Sequence, residues 1–543
     1  MAGHGSKPLR GLESTQQSSI QTGKFGRMFR WLEPAQIGRT PQEQIAITEL
    51  CKALAKAMIG NEFNTNVDED GHVTPDSDIN TPEPNDENPT IPAGYTYFGQ
   101  FIDHDITFDP ASSLQQQNDP DALVDFRTPR LDLDCVYGRG PADQPYLYAK
   151  SGRSKFVLGP DRGVNGMKRP DLQRTADFTA LIGDKRNDEN KIVAQIQALF
   201  LKFHNKVFDD LKTQPDASDD DLVFAEAQRI VRWTYQWLVL HDYLPKICDA
   251  KVIESIMPKK GERNPNFKFY HPHGGDAYIP VEFSVAAFRF AHSMVRPSYS
   301  LNDIVLTTPT AKFTSAKGKV TPFARVPIFV RQSGATTDAM NGFGEPLPPA
   351  WGIDWTFFFG KPKKIPAGQK QIPQLSYRID ATLVDPLGNL PEFARAGIPS
   401  PFESLAFRNL LRGVSMGLPS GQRVAEMMNV SKVLDDAQLW HSKADGDIVG
   451  KWGEGEALLA GNKRWLQGCA PLWFYILKEA EILHKGHHLG EVGSRIVGET
   501  MIGLVWCDHF SYLFQKPQWT PKDEGIVGLT DNLDMLALTK YVG

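Results

Sequence analysis

The chain has 543 residues, 41% of them apolar, 23% charged and 10% aromatic, which supplies ample core material and excludes a wholly disordered protein. Fifty-nine basic residues stand against 65 acidic ones, and the net charge of −6 disfavours a dedicated nucleic-acid binder. The five cysteines (51, 135, 248, 469 and 507) are widely spaced and form no C-x-x-C pair, which argues against a disulfide framework, a zinc site or a thiol redox centre.

In chain order, the opening MAGHGSKPLRGLESTQQ is polar where a secretory leader carries its apolar stretch, and no run of about 18 apolar residues follows. A chain without a membrane span is expected, cytoplasmic or exported without a cleavable signal. Residues 1–40 read as a tail or surface wrap. The spacing of Ile47, Leu50, Cys51, Leu54 and Met58 predicts a helix from Pro41, ended by Gly60. The stretch 61–90 holds nine Asp or Glu, several Pro and no Lys or Arg, and reads as an acidic loop. Inside it NVDEDG (66–71) looks like the opening of a calcium-binding EF-hand loop. Asn66 at the first position and Ser77 at the twelfth favour a solvated loop instead.

Beyond about residue 170 the pattern is mainly helical. Ile192, Ile196, Leu199, Phe203, Val207 and Leu211 make the apolar stripe of a long helix. The stretch 220–243 is apolar nearly all round and predicts a second long helix, deep in the core. Ser284 precedes a short helix that Pro297 stops, and the Pro/Gly-rich interval 345–373, containing WTFFFG, reads as a connection packed over the core. Helices resume at 403–433, 455–484 and 490–515, and period-two strands are scarce. The expectation is a mostly α-helical fold with few short strands: a large domain over 91–520, preceded by an extension (1–90) and followed by a C-terminal tail (521–543).

Four segments carry chemistry. In YTYFGQFIDHDITFDP (95–110), His104 sits between Asp103 and Asp105, with Gln100 one helical turn earlier. Neighbours in sequence face different directions, so Asp105 can hold a cation while His104 points elsewhere. DFRTPRLDLDCVYG (125–138) places Asp132 and Asp134 at alternate positions with Thr128 upstream, an oxygen set suited to a hard cation such as calcium. GDKRNDEN (183–190) puts Arg186 and Glu189 at the start of the long helix. In SVAAFRFAHSMVRPSYSLN (284–302), His292 lies on an apolar helix and shares a face with Arg289, as an imidazole ligand beside an anionic cofactor would.

In this order and at these separations the four segments resemble the animal-type haem peroxidases of the peroxidase–cyclooxygenase superfamily. GQFIDHD is similar to the family's distal-histidine motif, AFRFAHSMV to its proximal-histidine motif, and TPRLDLDCVYG to its calcium loop. GDKRNDEN resembles the segment with the distal arginine and a haem-linking glutamate. LKFHNKV (201–207) resembles the family's LREHNRL, and NLLRGVSMGLPSGQRVAE (409–426) a segment typical of bacterial members. The likeness spans roughly 90–520 and implies a single large haem peroxidase domain; the missing leader and disulfides fit a bacterial branch.

The resemblance implies haem b with His292 as iron ligand, His104 as distal acid–base, Arg186 as distal arginine and Arg289 beside a haem propionate. Asp103 and Glu189 stand where some members form ester bonds to haem, and Gln100 matches a glutamine associated with halide binding. Asn190 excludes the sulfonium link that one mammalian member makes through methionine. Calcium would take Asp105, Thr128, Asp132, Asp134 and the carbonyl of Arg130. Asn532 is the candidate partner for the proximal histidine. A neutral histidine can shuttle a proton between the two oxygens of hydrogen peroxide, and a guanidinium can stabilise the charge that develops as they part.

The function implied is oxidation of a small-molecule or halide donor by hydrogen peroxide. Rival readings are a haem dioxygenase acting on a lipid or other small molecule, and a haem- and calcium-binding protein without turnover. Arg289 stands where the dioxygenase branches carry a radical-forming tyrosine, which disfavours the first rival. His204 and Asn205 read as packing residues, and HKGHH (484–488) as a surface loop.

Overall fold

A threonine and a proline start the first helix, Pro41–Met58. Thr40 accepts the N–H of Glu43, Pro41 fits the first turn, and Ile47, Leu50, Cys51, Leu54 and Met58 are all buried along one stripe. The helix ends one residue short of the expected glycine, because Ile59 turns extended and bonds back to the carbonyl of Lys56. The computed structural model describes residues 25–59, 87–107, 128–150, 152–214, 217–259, 262, 264–272, 275–303, 325–329, 339–362, 372–390, 402–440 and 455–543. It also describes the backbone of two short hairpins, 66–67 with 73–74 and 311–314 with 320–323. Most of the acidic stretch, including residues 68–71 of the EF-hand-like run, lies outside the described residues.

Helices dominate, and the named strands occur as two-stranded pairs. Helix Lys191–Lys212 is the central beam: Asn190 caps it by accepting from the N–H groups of Ile192 and Val193, and its stripe is buried as expected. Helices Gly94–Ile106 and Asp220–Leu238 pack against it. Phe98, Phe101, Phe200 and Tyr235 meet there, with Phe101 and Phe200 stacked at 4.8 Å. The helix Met535–Val542 docks on the same beam, and Met535 N–H donates to Asp242 Oδ2 at 2.9 Å. A second helical group is built around Leu472–His484, which meets Leu405–Ser415, Gly421–Met428 and Glu491–Cys507.

Two sequence expectations change. The stretch 220–243 is not one continuous buried helix. It is α-helical to Leu238, passes through a π turn at Val239–Tyr243, and its first turns are at the surface, with Leu222 70% exposed. Burial tightens only from Ile230 on, where the aromatic residues meet the beam. The segment carrying His292 is not α-helical either. A short helix, Val281–Val285, breaks at Ala286, and Ala287–His292 continues as a 3₁₀ turn. In a 3₁₀ turn residues i and i+3 eclipse, so Arg289 and His292 still share a face.

Residues 25–40 wrap the surface, as expected. Phe25–Gly26 pairs with Ile279–Pro280, Arg27 donates to the carbonyls of Gly417 and Met416, and the buried Glu282 accepts the N–H groups of Met28 and Phe29. The WTFFFG connection lies on the core, with Trp355, Phe357, Phe358 and Phe359 buried. Among the described residues no helix is long and apolar enough to cross a membrane.

Candidate functional site

The helix Gly94–Ile106 and the 3₁₀ turn Ala287–His292 touch, and between them lies a cavity of about 310 Å³. Gln100, Asp103, His104, Arg186 and Glu189 line it from one side, Arg289 and His292 from the other. Three of the four segments singled out in the sequence therefore meet in one cavity; the fourth lies just behind it.

His104 is 5% exposed, and its Nδ1 lies 2.8 Å from Asn187 Oδ1. With Nδ1 engaged, Nε2 is the ring nitrogen left for the cavity. Burial, reinforced by the Arg186 charge, pulls the imidazole down to about 4, so it is neutral and able to accept a proton at neutral pH. Arg186 lines the cavity and is also a structural pin. Its Nη2 donates to the carbonyls of His104 (2.9 Å) and Thr107 (2.6 Å) and to Asp184 Oδ2 (2.7 Å). Gln100 is clamped at both ends: Asn190 Nδ2 donates to its Oε1 at 3.0 Å, and its Nε2 donates to Glu189 Oε2 at 2.9 Å. Asp103 accepts from the Thr107 hydroxyl at 3.1 Å.

Across the cavity, His292 Nδ1 lies 2.8 Å from Asn409 Nδ2, while Asn409 Oδ1 accepts from Arg289 Nη1 at 2.8 Å. Burial first, then Arg289 and Arg408, pull His292 down to about 3. The Trp473 and His292 rings lie nearly perpendicular, 6.5 Å apart, and Trp473 donates its indole N–H to the carbonyl of Arg289. The partner of His292 is thus Asn409 and not Asn532, which is exposed on the surface near the C-terminus. Asn409 opens the 409–426 segment, and its helical position on Leu405–Ser415 faces the 3₁₀ turn. Asn187 and Gln197 were also missed; Asn187 adjoins Arg186 in sequence, but nothing local marks Gln197.

Behind His104, Asp105, Asp132 and Asp134 bring carboxylate oxygens within 4.8 Å of one another. Thr128 Oγ1 donates to Asp132 Oδ2 at 2.8 Å, and Leu133 N–H donates to Asp105 Oδ2 at 3.2 Å. Arg130 sits in the same loop, its N–H bonded to the carbonyl of Thr128. Burial, then Asp134 and Asp132, push the Asp105 carboxyl well above the carboxylate range. Three crowded acids in a buried loop suit a hard divalent cation, which would relieve their repulsion. Among the described residues no other group of three or more such side chains is close enough to hold an ion.

His204 is a packing residue: its ring nitrogens meet the Tyr137 hydroxyl and the carbonyl of Ser154. Asn205 pairs with both backbone groups of Phe156. In HKGHH, the rings of His484 and His488 lie 4.3 Å apart, tilted by 38°, where a helix ends.

The cavity's donor set fits haem. It offers an imidazole from each side, two arginines (Arg289 and Arg408) for the carboxylates of a porphyrin, and apolar walls from Phe288, Val295, Ile328 and Leu405 for a flat macrocycle. The fold and this pair of histidines can be set beside known proteins. Residues 112–344 match the family profile described as animal haem peroxidase. Over that stretch the chain is similar to the animal haem peroxidases. It is similar to thyroid peroxidase of Sus scrofa, 31% identical over 204 residues that make up 34% of this chain and 20% of that protein. The chain thus spans about a fifth of the thyroid peroxidases it matches. In fold it is similar to peroxidase A from Dictyostelium discoideum, with a TM-score of 0.58 and 16% identity over 96% of this chain and 94% of that one. It is also similar to a fatty acid alpha-dioxygenase of Oryza sativa, with a TM-score of 0.52 and 14% identity over 94% and 88%.

Proposed function

We propose that this protein is a haem peroxidase that uses hydrogen peroxide to oxidise small electron donors or halides. The observation that carries the reading is one cavity with a histidine on each side, each fastened through Nδ1 to an asparagine. Held there by His292 and by Arg289 and Arg408 at its carboxylates, haem b would supply the iron centre at which peroxide is reduced. On the opposite side, neutral His104 takes a proton at Nε2 from one peroxide oxygen and returns it to the other as water leaves. Arg186 contributes positive charge to the same wall, and its bonds to the carbonyls of His104 and Thr107 hold the end of the His104 helix in place.

Gln100, held by Asn190 and Glu189, presents an oriented amide to the cavity, in keeping with a part in halide binding. Asp103 and Glu189 both line the cavity, where ester links to haem would form. Calcium would be bound by Asp105, Asp132 and Asp134, with Thr128 and the Arg130 carbonyl completing an all-oxygen set; because Asp105 adjoins His104, the ion would also steady the histidine. Against the dioxygenase reading stands Arg289, engaged with Asn409 at the position where a tyrosine would be needed.

The test is a haem-loaded sample mixed with one equivalent of hydrogen peroxide, followed by a screen of iodide, bromide, thiocyanate and phenols. A fast spectral change and donor oxidation are expected. A haem spectrum indifferent to peroxide sinks the proposal, and oxygen uptake with a fatty acid in place of donor oxidation favours the dioxygenase.

A further inference from the structure

An unbroken line of hydrogen bonds runs from the carboxylate cluster to His104. Cys135 N–H approaches Asp105 Oδ1 at 3.5 Å, and the carbonyl of Cys135 accepts from Gln197 Nε2 at 3.3 Å. Gln197 Oε1 accepts from Asn187 Nδ2 at 2.8 Å, and Asn187 Oδ1 lies 2.8 Å from His104 Nδ1. Gln197 and Asn187 are completely buried, so water cannot substitute for a partner.

The direction of this line is set at one end. A backbone carbonyl can only accept, so Gln197 must turn its NH₂ to Cys135 and its oxygen to Asn187. Asn187 must then offer NH₂ to Gln197 and its oxygen to His104. An oxygen facing Nδ1 requires the imidazole hydrogen on Nδ1, which leaves Nε2 as a bare lone pair toward the cavity. Free histidine prefers the opposite tautomer, with the hydrogen on Nε2, which could not accept a proton at that atom. The carbonyl itself has little room to move, because a Cβ on Gly183 would lie 2.4 Å from it.

We propose that Gln197 is a positioning residue: by fixing the direction of the Asn187 amide, it holds His104 in the Nδ1–H tautomer that keeps Nε2 available as the base. The consequence for turnover rests on the peroxidase reading above; the tautomer itself does not.

Two measurements separate them. Long-range proton–nitrogen NMR on the haem-free full chain with ¹⁵N-labelled histidine reports which ring nitrogen carries the hydrogen, the His104 signals being assigned by their loss in His104→Gln. Wild type should give the Nδ1–H pattern. Gln197→Met removes the directing amide and should bring in the Nε2–H form. Gln197→Glu still offers Asn187 an acceptor and should restore the wild-type pattern. Stopped-flow mixing of the haem-loaded variants with peroxide should then show Gln197→Met slowed at least about tenfold, with an unchanged resting spectrum, and Gln197→Glu largely recovered. Asn187→Ala, which removes the acceptor itself, gives an independent variant should Gln197→Met not fold. An unchanged Nδ1–H pattern in Gln197→Met or Asn187→Ala overturns the proposal. A changed pattern with an unchanged peroxide rate upholds the tautomer lock and removes His104 from the proton transfer.

Discussion

The two sides of the cavity hold their histidines with the same kind of partner and opposite polarity. On the side of His104, Asn187 presents its oxygen to Nδ1, in a direction anchored by a backbone carbonyl that cannot change its role. On the side of His292, Asn409 presents its nitrogen, because its oxygen is taken by Arg289. Arg289 is itself fixed at its other end, its Nε donating to the carbonyl of Ser284 at 2.9 Å. Ligation of a metal through Nε2 of His292 would need the hydrogen on Nδ1, so Asn409 would then turn its oxygen to the ring and release Arg289 Nη1. The supports differ likewise: His104 sits on a thirteen-residue helix pinned by Arg186, His292 on a six-residue 3₁₀ turn held by tertiary contacts. One amide takes its direction from a backbone carbonyl, the other from a side chain.

The sharpest way to break this comparison is to remove each ring in turn. His292→Ala should abolish or severely weaken haem retention, read from the absorption spectrum of reconstituted protein. A normal spectrum in that variant would mean that the iron ligand lies elsewhere. His104→Ala should keep haem but slow the reaction with peroxide by about 10²–10⁴, the usual cost of losing an acid–base group, as measured by stopped flow. Wild-type rates there would reduce His104 to a structural role.

The third effect is smaller and tests the support behind His104. Calcium should bind at Asp105, Asp132 and Asp134, and chelation or Asp132→Ala should lower thermal stability and the peroxide rate together. At calcium a hundredfold above its Kd the stabilisation amounts to about 2.7 kcal/mol. Metal analysis that finds no calcium in active protein rules this out.

The fourth effect concerns the other side. Glu479, on the helix that packs against the His292 turn, is buried and accepts the N–H groups of Val492 and Gly493, and burial raises its carboxyl to about 7 from 4.5. The folded chain therefore keeps a proton that the unfolded chain releases. This contribution to stability is full below 4.5 and is lost as pH rises through 7. Glu479→Gln cannot ionise, so denaturation midpoints should fall less steeply for the variant than for wild type over that window. Parallel pH profiles would show that Glu479 is not the group responsible.

Much of this protein was legible from local pattern. The stripe Ile192–Leu211 and the first helix follow from periodicity and residue type, which neighbours in sequence suffice to express, whereas the grouping of Asp105 with Asp132 and Asp134 was implied only by the family resemblance. The four chemical segments could be named because each concentrates its functional groups within a few residues. Where the expectation failed, a distant partner decided. The His292 segment breaks at Ala286 into a 3₁₀ turn lodged against Leu472–His484, and no local signal in AAFRFAH distinguishes that from an α-helix. The partner of His292 came from 117 residues away, in Asn409, and the direction of the Asn187 amide was set by a carbonyl 52 residues earlier, at Cys135. Sequence alone determined which side chains are available for the chemistry. Their hydrogen-bond polarity, and with it the tautomer of each histidine, was decided only by tertiary structure, because a buried amide takes its direction from whichever group is packed against it.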